Sequence, residues 1–322
     1  MAHRRNGTSV TGRTTMPARE PVTLVTYREF VPAPELRDHV RAYFSFTPAA
    51  VPWTGRRRVV REASIARGES FCSPVFADGH ASLVIELGAT CRLGEDWTHG
   101  TPMHAHVIGA MRMVGGPAGD TRPAMLGAYL QPGAVPALFR ESATTLADRV
   151  ARLDDLFGSS GARLAEDLAA LDDVARVDHL EAVLLQHLRR TPPSRTQVNL
   201  AGLARWARAE PTAMSARRLT DAAGVSRQHL ARLFNEQVGV SPKRYCRLAR
   251  FQAGLAHAGA GPGVRWAQVA TDLGYADQSH MIAEFRELSS LTPGSLATGR
   301  WFHPFILQAR ARSSDSRSAR VI

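Results

Sequence analysis

Lysine is nearly missing from this chain: Lys243 stands alone against 39 arginines. The skew points to GC-rich coding, so arginine number by itself says little about function. Cysteine is scarce as well. Cys72, Cys91 and Cys246 are odd in number and far apart. That excludes a disulfide framework or a CxxC zinc site and suits a reducing cytoplasm. No stretch approaches the roughly 20 apolar residues a membrane helix requires. The opening MAHRRNGTSVTGRTTMPAREP has no apolar centre, so it does not read as a signal peptide. It reads as a disordered tail over 1–20, with Met16 a second candidate start. Neither a Ser-His-Asp arrangement nor a phosphate loop can be argued. GAMRMVGGPAGD (109–120) is glycine-rich but follows no strand-to-helix pattern.

What the chain does have is size, apolar content and a lopsided charge. Its 322 residues, 44% of them apolar, suit two domains with sizeable cores. The net charge is +11. Residues 194–322 hold 18 basic and 8 acidic residues, whereas 1–193 hold 22 and 21. The excess therefore marks the C-terminal part as the candidate polyanion-binding region.

Short apolar or alternating runs fill residues 21–131: VTLVTYREF (22–30), VRAYFSF (40–46), ASLVIELG (81–88), HVIGAMRM (106–113) and MLGAYLQ (125–131). Gly, Pro and Asp punctuate them, as in a β barrel or sandwich. Residues 47–75 read as a long loop or an irregular hairpin. From 132 to 190 the spacing becomes helical, in LADRVARLDDLFG (146–158), ARLAEDLAALDD (162–173) and RVDHLEAVLLQHLRR (176–190). These helices pack on the β unit or on a second subunit. TPPSRT (191–196) is the linker candidate. Residues 197–298 are helical in pattern, and 299–322 form a tail ending in Ser and Arg.

A pattern returns within the last helical region. In LTDAAGVSRQHLARLFNEQVGVSP (219–242), apolar residues recur at helical spacing through Leu230, Phe234 and Val238. Gly224 sits where one helix must end and Ser226 where the next can be capped. That is a helix-turn-helix. VATDLGYADQSHMIAEFRELSSLTP (269–293) repeats it, Gly224 answering Gly274, His229 answering His280, Phe234 answering Phe285 and Pro242 answering Pro293. SPKRYCRLARFQAGLAHA (241–258) is the expected joining helix, with Ser241 as cap and Pro242 first inside.

These two motifs, in this order and at this separation, resemble the DNA-binding domain of the AraC/XylS transcription regulators over residues 197–298. Departures are Met281 where that family has Phe, Ser290 where it has Gly, and GSLATGR at the end. The N-terminal half resembles, more loosely, a sensor domain of actinobacterial members. The resemblance implies a cupin-like barrel with flanking helices over 21–190, and a ligand or dimerisation role for it. The fold class is thus α+β, with an all-α C-terminal domain.

In a helix-turn-helix the second helix enters the major groove and offers its N-terminal side chains to base edges. Arg suits guanine, and Gln or Asn suits adenine. The base-reading set is therefore Arg227, Gln228, His229, Arg232 and Asn235 in the first unit, and Gln278, Ser279, His280 and Arg286 in the second. Asp277 either accepts from cytosine or caps its helix. Arg217, Arg218, Lys243, Arg244 and Arg247 are the phosphate candidates. Arg250 either joins them or forms a buried ion pair. The expected partners are double-stranded DNA, a small-molecule effector, a second copy of the chain and RNA polymerase.

Two other readings are weighed beside the ligand-responsive regulator. One is a constitutive DNA-binding regulator whose N-terminal domain only dimerises. The other is a metal-dependent cupin-type enzyme using His99, His104, His106 and Cys91. HAH (104–106) puts two imidazoles on one strand face, but no carboxylate lies between His99 and Asp120 to complete a set. The expectation is no cofactor, no metal and no catalysis. A four-cysteine DNA-repair methyltransferase is excluded, because only Cys72 and Cys91 precede residue 246.

Overall fold

The structure, a computed structural model, describes residues 24–48, 55, 59–66, 79–87, 91–93, 101–103, 105–109, 124–190, 198–259 and 263–298. The expected tails (1–20 and 299–322), the linker (191–196), Cys72, His99 and His104 lie outside these residues, as do the side chains of Cys91 and His106.

The strands are β1 (Leu24–Phe30), β2 (Val40–Pro48), β3 (Val59–Ala66), β4 (Ser82–Glu86), β5 (Cys91–Leu93), β6 (Thr101–Met103), β7 (Ala105–Ile108), β8 (Met125–Leu130) and β9 (Val150–Arg152). Seven of them form one antiparallel sheet in the order β3-β1-β2-β8-β4-β7-β9, and β5 pairs with β6. The β-rich character of 21–131 is as expected, but the barrel is not. Among the described residues the sheet is open, with β3 and β9 as its edges. Closing a barrel requires matched stagger around the ring. At one edge stand β7 and β9, of four and three residues, too short a frame for that. The stretch read as a loop or irregular hairpin contains β3, which pairs with β1 from Leu24↔Ala66 to Phe30↔Val59.

Side chains alternate between faces along a strand, so the register divides the sheet. Phe30, Tyr43, Leu83, Ile85, Val107, Leu126, Ala128 and Leu130 point one way and form a buried core with the helices that follow. Tyr27, Glu29, Phe44, Phe46, Val84, Glu86, Met125 and Tyr129 point the other way. There the Phe44 ring lies over Gly127: a Cβ at that glycine would come within 2.2 Å of it.

The covering helices are α1 (Ala134–Phe139), α2 (Ala143–Leu146), α3 (Leu153–Phe157), α4 (Ser159–Ala169) and α5 (Asp173–Arg189). On α5 the stripe Val177, Leu180 and Leu184 is buried, with Val183 and Leu188 partly so, and it packs on this core. The single helix expected over 146–158 is not formed. The chain turns at Asp148 (φ 54), adds β9 to the edge of β7, and resumes as the five-residue α3. The unsatisfied edge of β7 outweighs the local helical spacing, because its backbone groups need partners.

The C-terminal half contains α6 (Leu200–Ala209), α7 (Ala216–Ala223), α8 (Arg227–Val238), α9 (Pro242–Ala258), α10 (Trp266–Asp272), α11 (Gln278–Ser289) and α12 (Pro293–Thr298). It has its own core, built on Leu219, Leu230, Phe234, Phe251, Leu255, Met281, Phe285 and Leu296. Phe251 of α9 meets Phe285 of α11 edge-on, with centroids 4.8 Å apart. Phe234 of α8 meets Tyr245 of α9 at 5.8 Å, so both turn units are pinned to the same central helix.

Candidate nucleic-acid interface

The local rules that make each unit are visible residue by residue. Ser215 begins α7 by accepting from the Arg218 N–H. Gly224 ends it in the left-handed conformation (φ 64), which glycine adopts without a Cβ penalty. Ser226 caps α8 through the His229 N–H at 3.2 Å, and Ser241 caps α9 through the Arg244 N–H at 3.3 Å. In the second unit Asp277 accepts from the His280 N–H at 2.7 Å. Asp277 thus caps α11 through its Oδ1.

Capping leaves the first turns of α8 and α11 open. Arg227, Gln228, Arg232 and Asn235 are exposed on α8, as are Gln278, Ser279, His280 and Arg286 on α11; His229 is half-buried. Two of these side chains order each other. An Arg232 N–H donates to His229 Nδ1 at 3.2 Å, and the same guanidinium stands 3.6 Å from Glu236. His280 meets the Tyr275 ring edge-on at 5.4 Å. Asn235 stands apart from the other α8 residues. It lies two turns from Arg227, at the end of α8 that faces the N-terminal domain, where its carbonyl accepts from Thr144.

The phosphate candidates divide by environment. Arg217 is 91% exposed, with only a 3.9 Å approach to Asp221. Arg218 lies over the Trp206 ring and donates to the Ala213 carbonyl. Lys243 is exposed. Arg244 reaches Asp148 of the N-terminal domain at 3.4 Å. Arg247 is placed differently from the rest. Its Nε donates to Glu284 at 2.8 Å and a terminal nitrogen donates to Glu287 at 2.5 Å, so its charge is answered within the protein. These bonds raise its pKa further above the ordinary guanidinium value. Arg250 makes no ion pair among the described residues. It lies over the Tyr275 ring at 5.1 Å and donates to the Gly274 carbonyl.

Between the two units lies a cleft of about 660 Å³, lined by Ser215, Lys243, Arg250 and His280 among others. Its floor is the Arg247–Glu284 pair. Glu284 is buried and also accepts from the Tyr275 hydroxyl at 2.8 Å. Sequence reasoning missed this hub, because Tyr275 and Glu284 sit at positions that also read as plain core. Burial and the Glu284 charge push the Tyr275 pKa well up, so the hydroxyl stays a donor. The joining helix α9 has 17 residues and spans about 26 Å.

Two exposed helix starts, both packed on one central helix above a cation-bearing cleft, define a double helix-turn-helix DNA-binding protein. A family model described as a helix-turn-helix domain matches residues 219–298. A second, a domain of unknown function (DUF6597), matches residues 28–152. Among solved structures, ToxT from Vibrio cholerae O395 is similar at 10% identity and a TM-score of 0.41, covering 72% of this chain and 98% of that one. Unsaturated fatty acid bound ToxT from Vibrio cholerae strain SCE256 gives 11%, 0.39, 89% and 100%. No curated protein sequence matches the chain. The chain thus carries a helix-turn-helix domain over residues 219–298, with a DUF6597 domain over residues 28–152 ahead of it. Among the described residues no helix is long and apolar enough to cross a membrane.

Proposed function

We propose that the chain reads two successive major grooves, α8 entering one and α11 the next. The observation that carries this is the shared packing of both helices on α9, which leaves their capped N-terminal turns open. Successive major grooves lie about 34 Å apart, so a rigid connection is needed to reach both. Arg227, Gln228 and Arg232, with Gln278, Ser279, His280 and Arg286, are the base readers in this reading. His229 steadies Arg232 from the adjacent turn. Arg217, Arg218, Lys243 and, once released from Asp148, Arg244 hold phosphates. Arg247 serves instead as the brace between α9 and α11. Selection of bound DNA from a random pool should return one bipartite site. Enrichment of no sequence would end this reading.

The finer part concerns regulation. A small-molecule effector is proposed for the N-terminal domain, on the sheet face that carries Tyr27, Phe44, Phe46, Tyr129, Glu29 and Glu86. Aromatic walls with a few polar groups are the usual make-up of a small-ligand site. A second copy of the chain and RNA polymerase are proposed as partners on the family resemblance alone. Repeating the DNA selection with cell-extract metabolites tests for the effector, and sedimentation tests for the dimer. A site affinity that no metabolite fraction alters would favour the constitutive regulator.

A further inference from the structure

The last carbonyls of a helix have no partner within it. On α8, which ends at Val238, the Gly239 N–H folds back to the carbonyls of Phe234 and Asn235. The next donors come from the other domain. Thr144 Oγ1 donates to the Asn235 carbonyl at 2.8 Å, Ser142 Oγ to the Glu236 carbonyl at 3.3 Å, and the Gly133 N–H to the Gln237 carbonyl at 3.0 Å. Three successive carbonyls of the first reading helix are thus met by the α1–α2 segment of the N-terminal domain. The approach is close: a Cβ on Gly239 would stand 2.8 Å from the Ala143 carbonyl oxygen. Asp148, just after α2, ties the start of α9 through Arg244.

We propose that Thr144 and Ser142 are positioning residues for DNA reading, and that through them the N-terminal domain sets the tilt of α8. The proposal rests on α8 reading bases. The cap lies at one end of α8 and Arg227 at the other, eight to ten residues and about 12–15 Å away. A tilt of about 5° about the capped end would move Arg227 by roughly 1 Å, enough to break a hydrogen bond to a base edge. α11 is held by its own contacts to α9 through Arg247, Glu284 and Phe285. Loosening the cap therefore blurs one half of the operator and spares the other. The same contact is the route by which a change in the N-terminal domain reaches DNA: it acts on half-site discrimination.

The test uses the full chain and the site selected by the wild-type protein. Each base pair is substituted in turn and binding is measured for wild type, the Ser142→Ala/Thr144→Val double variant, and Thr144→Ser. Positions sensitive to Arg227→Ala define the α8 half, and positions sensitive to Gln278→Ala the α11 half. The double variant should lose discrimination by roughly tenfold in the α8 half only. Thr144→Ser, which keeps the hydroxyl, should behave as wild type. Unchanged discrimination in the double variant, or equal loss in both halves, would overturn the proposal. A wild-type chain that selects no site overturns the DNA reading itself, a result distinct from either.

Discussion

At the scale of single residues, backbone conformation and burial make the sharpest statements. Ser290 holds a left-handed backbone (φ 58) at the end of α11, a position for which the AraC/XylS resemblance implies glycine. An L-residue loses about 1 kcal/mol there. Ser290→Gly should therefore stabilise the protein by roughly that amount, seen as a higher denaturant midpoint at unchanged slope. Glu86 is buried on the aromatic face of the sheet, and burial pushes its pKa up to about 7. The folded state then holds a proton that the unfolded state releases near 4.5. Folding stability linked to Glu86 is full below about pH 4.5 and is lost as pH rises through 7. Glu86→Gln should remove that loss, stabilising by on the order of 2–3 kcal/mol at pH 7 and by little at pH 5. Denaturant melts at the two pH values check it. Ser226, Ser241 and Asp277 were legible as caps from the sequence, because a cap depends on residues within one turn. Nothing local marks the strain at Ser290 except the glycine that the family resemblance implies there.

At the scale of elements, the proposed reading helices α8 and α11 are specified by short-range spacing and their orientation by long-range contacts. Arg227→Ala should weaken specific binding by roughly 1–3 kcal/mol and relax one operator position. Per-position binding measurements check this, and an unaltered profile would remove Arg227 from the reading set. Lys243 and Arg247 lie on the same helix yet should respond in opposite ways. In the proposed reading Lys243→Ala removes a phosphate contact, so the slope of log K against log salt should fall by about 0.9 with little change in stability. Arg247→Met strips a partner from the buried Glu284, costing roughly 2–3 kcal/mol of stability and leaving the salt slope alone. The sequence put both residues in one phosphate set because their spacing is alike. Only the position of α11 over α9 separates them. The segment 146–158 teaches the same lesson from the other side: its helical spacing is real, but the open edge of β7 claims residues 150–152 as a strand.

At the scale of the whole molecule, two cores meet along a polar seam. His80 of the N-terminal domain is buried there, with its Nε2 3.1 Å from the Arg208 guanidinium of α6. Arg208 also donates to the Tyr245 hydroxyl, and the Tyr245 ring packs edge-on to His80. Burial first, and then the charges of Arg208 and Arg41, hold the His80 pKa well below its usual value. The unfolded chain therefore takes up a proton near pH 6.5 that the folded chain refuses. Stability linked to His80 is full above that pH and falls away as pH drops through it. The wild-type protein should lose stability between pH 7.5 and 5.5 relative to His80→Gln. A parallel pH response in both would place the histidine outside the seam's energetics. On the N-terminal side of this seam no residue stood out in the sequence, since Ser142, Thr144, Asp148 and His80 acquire meaning only from partners dozens of residues away.

The sequence by itself determined the helix-turn-helix repeat, its caps and glycine turn, and the charge asymmetry, because each rests on neighbours within a few residues or on plain counting. It also determined that the N-terminal half is β-rich, from alternation along short runs. Tertiary structure alone decided that the sheet stays open among the described residues, with β3 and β9 at its edges, and that Arg247 faces carboxylates. It likewise decided that the first reading helix ends against the N-terminal domain. Each of these depends on which unsatisfied backbone group or buried charge finds a partner at long range. Spacing along the chain carries no record of that meeting.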